Sequence, residues 1–303
     1  MKMRTCGFHY RHEKMEPAVG FASRLARLNG RPLRYFLAEM GIPTRGLEQA
    51  DEKAVRAVAQ RGGTNENDLL RYTPVRSPEG KRFIVGGETF DVRSIHRTFF
   101  RFCPHCVQED LETYEGPAIA RPWLRLGWIL APIRSCPKHN VLLVRTNPKR
   151  QRYQYFDFSR TLDAYRTELE YLAKDARLMP SSSFQDWLLA RLRGDANERT
   201  WLDDVPAYAA IAFCEGLGVS ALHPPKVKTG QLTEGDWAAA AETGFLIARD
   251  GENSIRSQLQ KLNDVHVNTK GVLGLRDTYG HVYDVLRRTI DDPGYEKLRD
   301  TVR

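Results

Sequence analysis

Cys103-Pro104-His105-Cys106 and, after 29 intervening residues, Cys136-Pro137-Lys138-His139 are the residues whose types and spacing best suit chemistry. Two C-x-x-C/H pairs fit a closed tetrahedral zinc site: each short pair folds back so that two ligands converge, and the second pair completes the coordination. Three thiolates and one imidazole leave no open position. The expected cofactor is therefore one structural Zn2+ that contributes folding free energy and activates no water. His105 lies between two ligands and is expected to point away from the ion. Cys6, His9 and His12 are evenly spaced too, but near a chain terminus they read as incidental. Cys214, inside AYAAIAFCEGLG, reads as a small core residue. Five cysteines without a secretion signal are an odd number, which argues against a disulfide framework.

The same residues argue against catalysis. A zinc nucleic-acid deaminase needs H-x-E upstream of P-C-x-x-C, whereas this chain has C-P-x-C and C-P-x-H with every ligand position filled. No G-x-x-x-x-G-K-[ST] occurs, so ATP hydrolysis has no phosphate cradle. No catalytic residue is nominated, and the chain reads as a non-enzyme; a zinc nucleic-acid enzyme ranks last among its readings.

Charge points to a polyanion. Forty-six Lys and Arg against 38 Asp and Glu give a net +8, and the excess lies in front: residues 1–160 carry 28 basic and 16 acidic side chains, residues 161–303 carry 18 and 22. Such a footprint attracts phosphates, and the attraction weakens with salt. The candidate nucleic-acid contacts are Arg24, Arg27, Arg31 and Arg34, then Arg97 and Arg101, then Arg145, Lys149, Arg150 and Arg152 beside Tyr153 and Tyr155. No window approaches the roughly 18 apolar residues of a membrane span, so the expectation is a cytoplasmic protein with no membrane partner.

The elements that position these residues follow from periodicity and punctuation. Val19, Phe21, Leu25 and Leu28, a break at Asn29-Gly30, and then Leu33, Phe36, Leu37 and Met40 predict two short helices in a helix-turn-helix-like unit over 16–41. Further helices are expected at 51–61 and 65–72. Residues 73–102 suit short strands or a loop. From 161 onward the pattern is helical, at 161–178, 184–193, 206–217, 233–249 and 254–263. Thr233 with Asp236 forms a capping box, Gly251 is a left-handed exit, and linkers are expected at 177–183 and 222–230. Trp123, Leu126, Trp128, Ile129 and Ile133 should pack the zinc module onto neighbouring helices. The predicted fold is mainly α, with a small zinc-ribbon-like module of short β elements between an N-terminal helix-turn-helix-like unit and a C-terminal helical region. The corresponding segments are 1–72, 73–160 and 161–303.

The order EPAVGFASRLARLNG, RFCPHCVQED, RPWLRLGWILAPIRSCPKHNVLLV and GDWAAAAETGFLIARDGENSIRSQLQKL resembles the TniQ/TnsD family of transposition target-selection proteins over most of the chain. Under that resemblance Cys103, Cys106, Cys136 and His139 fall on the family's zinc ligands. It implies a non-catalytic adaptor that recognises a target, either DNA directly or an RNA-guided complex, and recruits an AAA+ ATPase regulator of transposition. Longer members, similar to TnsD, carry extra C-terminal DNA-binding helices. This chain stops at RRTIDDPGYEKLRDTVR, mid-helix by its pattern, and reads as a truncated or naturally short form. The rival reading is a stand-alone zinc-containing transcription regulator that uses 16–41 as its helix-turn-helix. That rival predicts a homodimer and specific DNA affinity on the order of 10⁻⁸ M or better.

Overall fold

Proline and glycine cut the N-terminal part of the chain into short helices. In the computed structural model, which describes residues 8–147, 157–195, 199–265 and 274–303, α1 (Ala18–Leu28) begins after Pro17 and α2 (Leu33–Glu39) after Pro32. Between them Asn29 donates its side-chain amide to the Leu25 carbonyl, and Gly30 takes φ +66°, the left-handed geometry that only glycine adopts without strain. A short α3 (Thr44–Glu48) follows; its five residues carry too little periodicity to be read from sequence. α4 (Glu52–Gly62) is capped by Asp51 and α5 (Glu66–Arg71) by Asn65, each side chain accepting backbone N–H groups. Phe21, Leu25, Leu37, Val55 and Leu69 form the centre of the core that these helices share. A methyl group at Gly62 would lie 2.6 Å from the Phe21 ring, so the last turn of α4 rests directly on α1.

A three-stranded antiparallel sheet comes next, in the order β1 (Val75–Arg76), β2 (Arg82–Val85), β3 (Glu88–Asp91). Gly86 and Gly87 both have positive φ and supply the two-residue hairpin turn between β2 and β3. Phe83 faces Phe90 across this hairpin, and both are fully buried. The chain then pairs β4 (Arg101–Phe102) with β5 (Val144–Arg145), enclosing α6 (Pro104–Thr113) and the tryptophan-bearing segment. The helix expected over 161–178 is two, α7 (Phe158–Asp163) and α8 (Leu169–Lys174), separated by a 3₁₀ turn at Arg166–Glu168. Before that turn Tyr165 is buried against Phe102 and accepts the Asn147 N–H, a tertiary constraint that periodicity does not show. Asp157 ties the helices together: its carboxylate accepts the Leu33 N–H at the start of α2, the Ser23 hydroxyl of α1 and the Arg160 N–H of α7. These elements belong to one compact unit, Met1–Pro180, so the segments 1–72 and 73–160 lie in the same unit.

The second unit, Ser181–Arg303, is helical. It contains α9 (Ser183–Arg193), α10 (Ala207–Leu222), α11 (Glu234–Ala248), α12 (Glu252–Asp264), α13 (Leu275–Arg288) and α14 (Glu296–Val302). α10 runs five residues past the expected end because it is apolar on every side and buried within the unit. Gly218 and Gly244 permit its crossing with α11: a side chain at either would overlap a backbone carbonyl, that of Ala240 or of Cys214. Thr233 and Asp236 do form the capping box. Gly251 has positive φ, but with ψ −165° it starts α12 instead of ending α11 in a left-handed turn. α13 is interrupted at Gly280 (φ 56°, ψ −129°), and the Ser220 hydroxyl of α10 fills the break, accepting the Val282 N–H and donating to the Tyr279 carbonyl. The protein is thus mainly α, with a small zinc-ribbon-like module. Among the described residues no helix is long and apolar enough to cross a membrane.

Candidate metal centre

The first ligand pair is the first turn of a helix. Cys103 is the N-cap of α6 and Pro104 its first residue, a position where proline's missing N–H costs nothing. Cys106 sits one turn on, and the free N–H groups and positive end of the helix favour thiolate there. The second pair is a tight turn: Cys136 accepts the Asn140 N–H, donates its own N–H to Val141, and Asn140 adopts φ 54° to close the loop.

These two pieces converge. The Sγ atoms of Cys103, Cys106 and Cys136 and a ring nitrogen of His139 all lie within 4.8 Å of one another, with the three cysteines buried. His139 Nδ1 is 3.4, 3.3 and 3.5 Å from the sulfurs of Cys103, Cys106 and Cys136, and the Cys106 and Cys136 sulfurs are 3.5 Å apart. A tetrahedron with zinc–sulfur bonds near 2.3 Å and a zinc–nitrogen bond near 2.0 Å has edges of about 3.5–3.8 Å, so the donors stand where such an ion requires them. Electrostatics agree with that fit. Without a cation, Cys136 is held below the ordinary thiol range by hydrogen bonds from Cys103 and Cys106, while Cys103 and Cys136 push Cys106 well above it. Three thiolates this close repel one another and need a central positive charge. The cluster can hold a divalent metal ion through three Sγ atoms and His139 Nδ1.

An outer layer holds these ligands. His139 Nε2 is 3.0 Å from Glu109 Oε1, and Glu109 Oε2 accepts from Lys138 at 2.6 Å, an ion pair that keeps the carboxyl below its usual range. This carboxylate fixes the tautomer that leaves Nδ1 free to ligate. One residue on along α6, buried Asp110 grips the Arg125 guanidinium with bonds of 2.6 and 2.7 Å. That guanidinium lies over the rings of both Trp123 and Trp128, at 4.2 and 4.5 Å from their centroids. Neither Glu109 nor the Asp110–Arg125 clamp was singled out by sequence reasoning. The signal was present: Glu109 lies three residues after Cys106 on a helix, hence on the same face. His105 is not a member of the cluster; its ring packs 5.3 Å from that of His139.

The candidate phosphate contacts separate by burial. Arg24 is fully buried, paired with Glu16 at 2.7 Å and bonded to the Ala120 carbonyl, so it joins the core and leaves the list of nucleic-acid contacts. Arg101 is withdrawn on the same ground: 4% exposed, it donates to the carbonyls of Trp128 and Leu130. Arg97 is half-buried, bonded to the Glu48 carbonyl and set over the Phe83 ring. Arg27 pairs with Asp163 and Arg31 with Glu39. Arg34 and Arg145 are exposed, the latter stacked 3.8 Å from the Phe99 centroid. Lys149, Arg150 and Arg152, with Tyr153, Tyr155 and Cys6, lie outside the described residues. Sequence pattern cannot tell a cation that faces solvent from one that cements two segments.

Comparison with the curated proteins gives no match. The family model TniQ matches residues 8–143, a span that contains α1 to α6, both ligand pairs and the tryptophan clamp. Residues 8–143 of the chain are thus a TniQ domain, a domain of transposition proteins.

Proposed function

We propose that this protein is a target-selection adaptor: it binds target DNA or a guide complex and recruits an AAA+ regulator of transposition, without catalysing a reaction itself. The observation that supports it most is the closed Cys3His cluster within the TniQ domain. A site whose four positions are all protein ligands has no place for a substrate, so the ion, zinc by its donor set, serves to hold the module's shape. The exposed guanidiniums of Arg31, Arg34 and Arg145 take phosphate contacts in this reading. The test is a pull-down with an AAA+ transposition regulator, with and without DNA. Capture of the ATPase that DNA strengthens supports the adaptor. Tight sequence-specific binding of DNA by a homodimer with no ATPase capture would replace it with the repressor reading.

A further inference from the structure

Apart from the metal centre, unit 1 carries a cleft with a definite chemical character. It opens between the first turn of α1, the corner joining α3 to α4, β2 and residues 95–100, and encloses about 50 Å³. Its floor is apolar: Leu47, Phe83, Ile95, Phe100 and Ile129 are buried there, and Val19 lines one side. The polar groups of the wall are already committed. The Thr73 hydroxyl accepts the Ala18 N–H and donates to the Leu69 carbonyl. Burial and the guanidiniums of Arg101, Arg145 and Arg134 hold the His96 imidazole down to about 3, so it stays neutral, packed 4.4 Å from Phe99. Around this floor the charge is mainly positive: Arg76 and Arg97 flank the Phe83 ring, Arg145 covers Phe99, and Glu48 is the acid among the lining residues.

We propose that this cleft is a docking site for an acidic segment of a partner protein, which inserts one apolar side chain onto the Phe83–Ile95–Phe100 floor while its flanking carboxylates meet Arg76, Arg97 and Arg145. Size and chemistry favour this occupant over a nucleobase. A cavity this small takes one side chain, and a base buried here would leave its ring nitrogens and exocyclic groups without partners. The cationic rim supplies the complement to acidic neighbours and speeds their encounter. Apart from Arg145, which the DNA-contact reading also uses, the inference draws on residues that reading does not, and it gives the protein partner a chemistry.

Selection of a random phage-displayed dodecapeptide library on the full chain tests it. The expected result is enrichment of peptides with a single Leu, Ile, Met or Phe flanked by Asp or Glu. Their affinity should fall at least about tenfold for Val19→Trp, which fills the cleft from a partly exposed position. Arg76→Glu, an exposed change, should weaken them several-fold and flatten their salt dependence, with metal content unchanged in both variants. No enrichment, enrichment without acidic residues, or equal binding by both variants overturns the proposal. So does binding of an oligothymidylate that Val19→Trp abolishes, which would assign the cleft to nucleic acid.

Discussion

The two units solve the problem of holding short helices together in opposite ways. In unit 1 the helices are too small to bury a large common face, and polar fasteners join them: the Cys3His cluster, the Asp157 triple acceptor, the buried Glu16–Arg24 pair. In unit 2 the fastener is an absence, since Gly218 and Gly244 let the backbones of α10 and α11 touch. A fold fastened by ions and carboxylates answers to chelators and pH. One fastened by glycine answers to volume.

That contrast can be broken from either side. The largest effect is expected from Cys136→Ala or a strong chelator. Losing one ligand of a structural metal site should cost on the order of 5 kcal/mol, remove the bound zinc and erase the near-ultraviolet dichroism of unit 1, while the far-ultraviolet signal of unit 2's helices persists. Gly244→Val strikes the other unit: its side chain meets the Cys214 carbonyl, and a loss of about 3 kcal/mol in the thermal transition, with zinc content intact, is expected. Glu16 sharpens the comparison by pH. Burial raises its carboxyl from 4.5 to about 7, so the folded chain binds a proton that the unfolded chain releases. Its contribution is complete below about pH 4.5 and lost as the pH rises through 7, a slope worth up to about 3 kcal/mol that Glu16→Gln should flatten in urea titrations. The smallest effect is Arg34→Ala, which should leave stability unchanged and reduce the salt slope of DNA binding by about 0.9, one phosphate's worth. An unaltered slope would remove Arg34 from the DNA surface.

The Cys3His cluster was legible because it depends on local spacing: a C-x-x-C at a helix start and a C-x-x-H in a turn are each fixed within four residues. Helices with caps were legible for the same reason, as Asn65, Asp51 and Thr233 show. Long-range commitments were not. Nothing in the sequence around Arg24 says that Glu16 and the Ala120 carbonyl will enclose it, and its regular spacing with Arg27 and Arg31 imitates a basic face. The break at 166–168 and the early start of α12 at Gly251 likewise depend on tertiary context, which periodicity within one segment does not register.

Arg125 gives the module a built-in optical reporter. It clasps the helix that presents Cys103 and Cys106 and at the same time lies over two indoles, while the chain's other three tryptophans, Trp187, Trp201 and Trp237, all belong to the second unit. Emission from Trp123 and Trp128 is therefore expected to change if the Cys3His cluster takes up or loses a metal ion. The steady background from the other three lets an ordinary fluorimeter follow loading and release of the metal without any added dye.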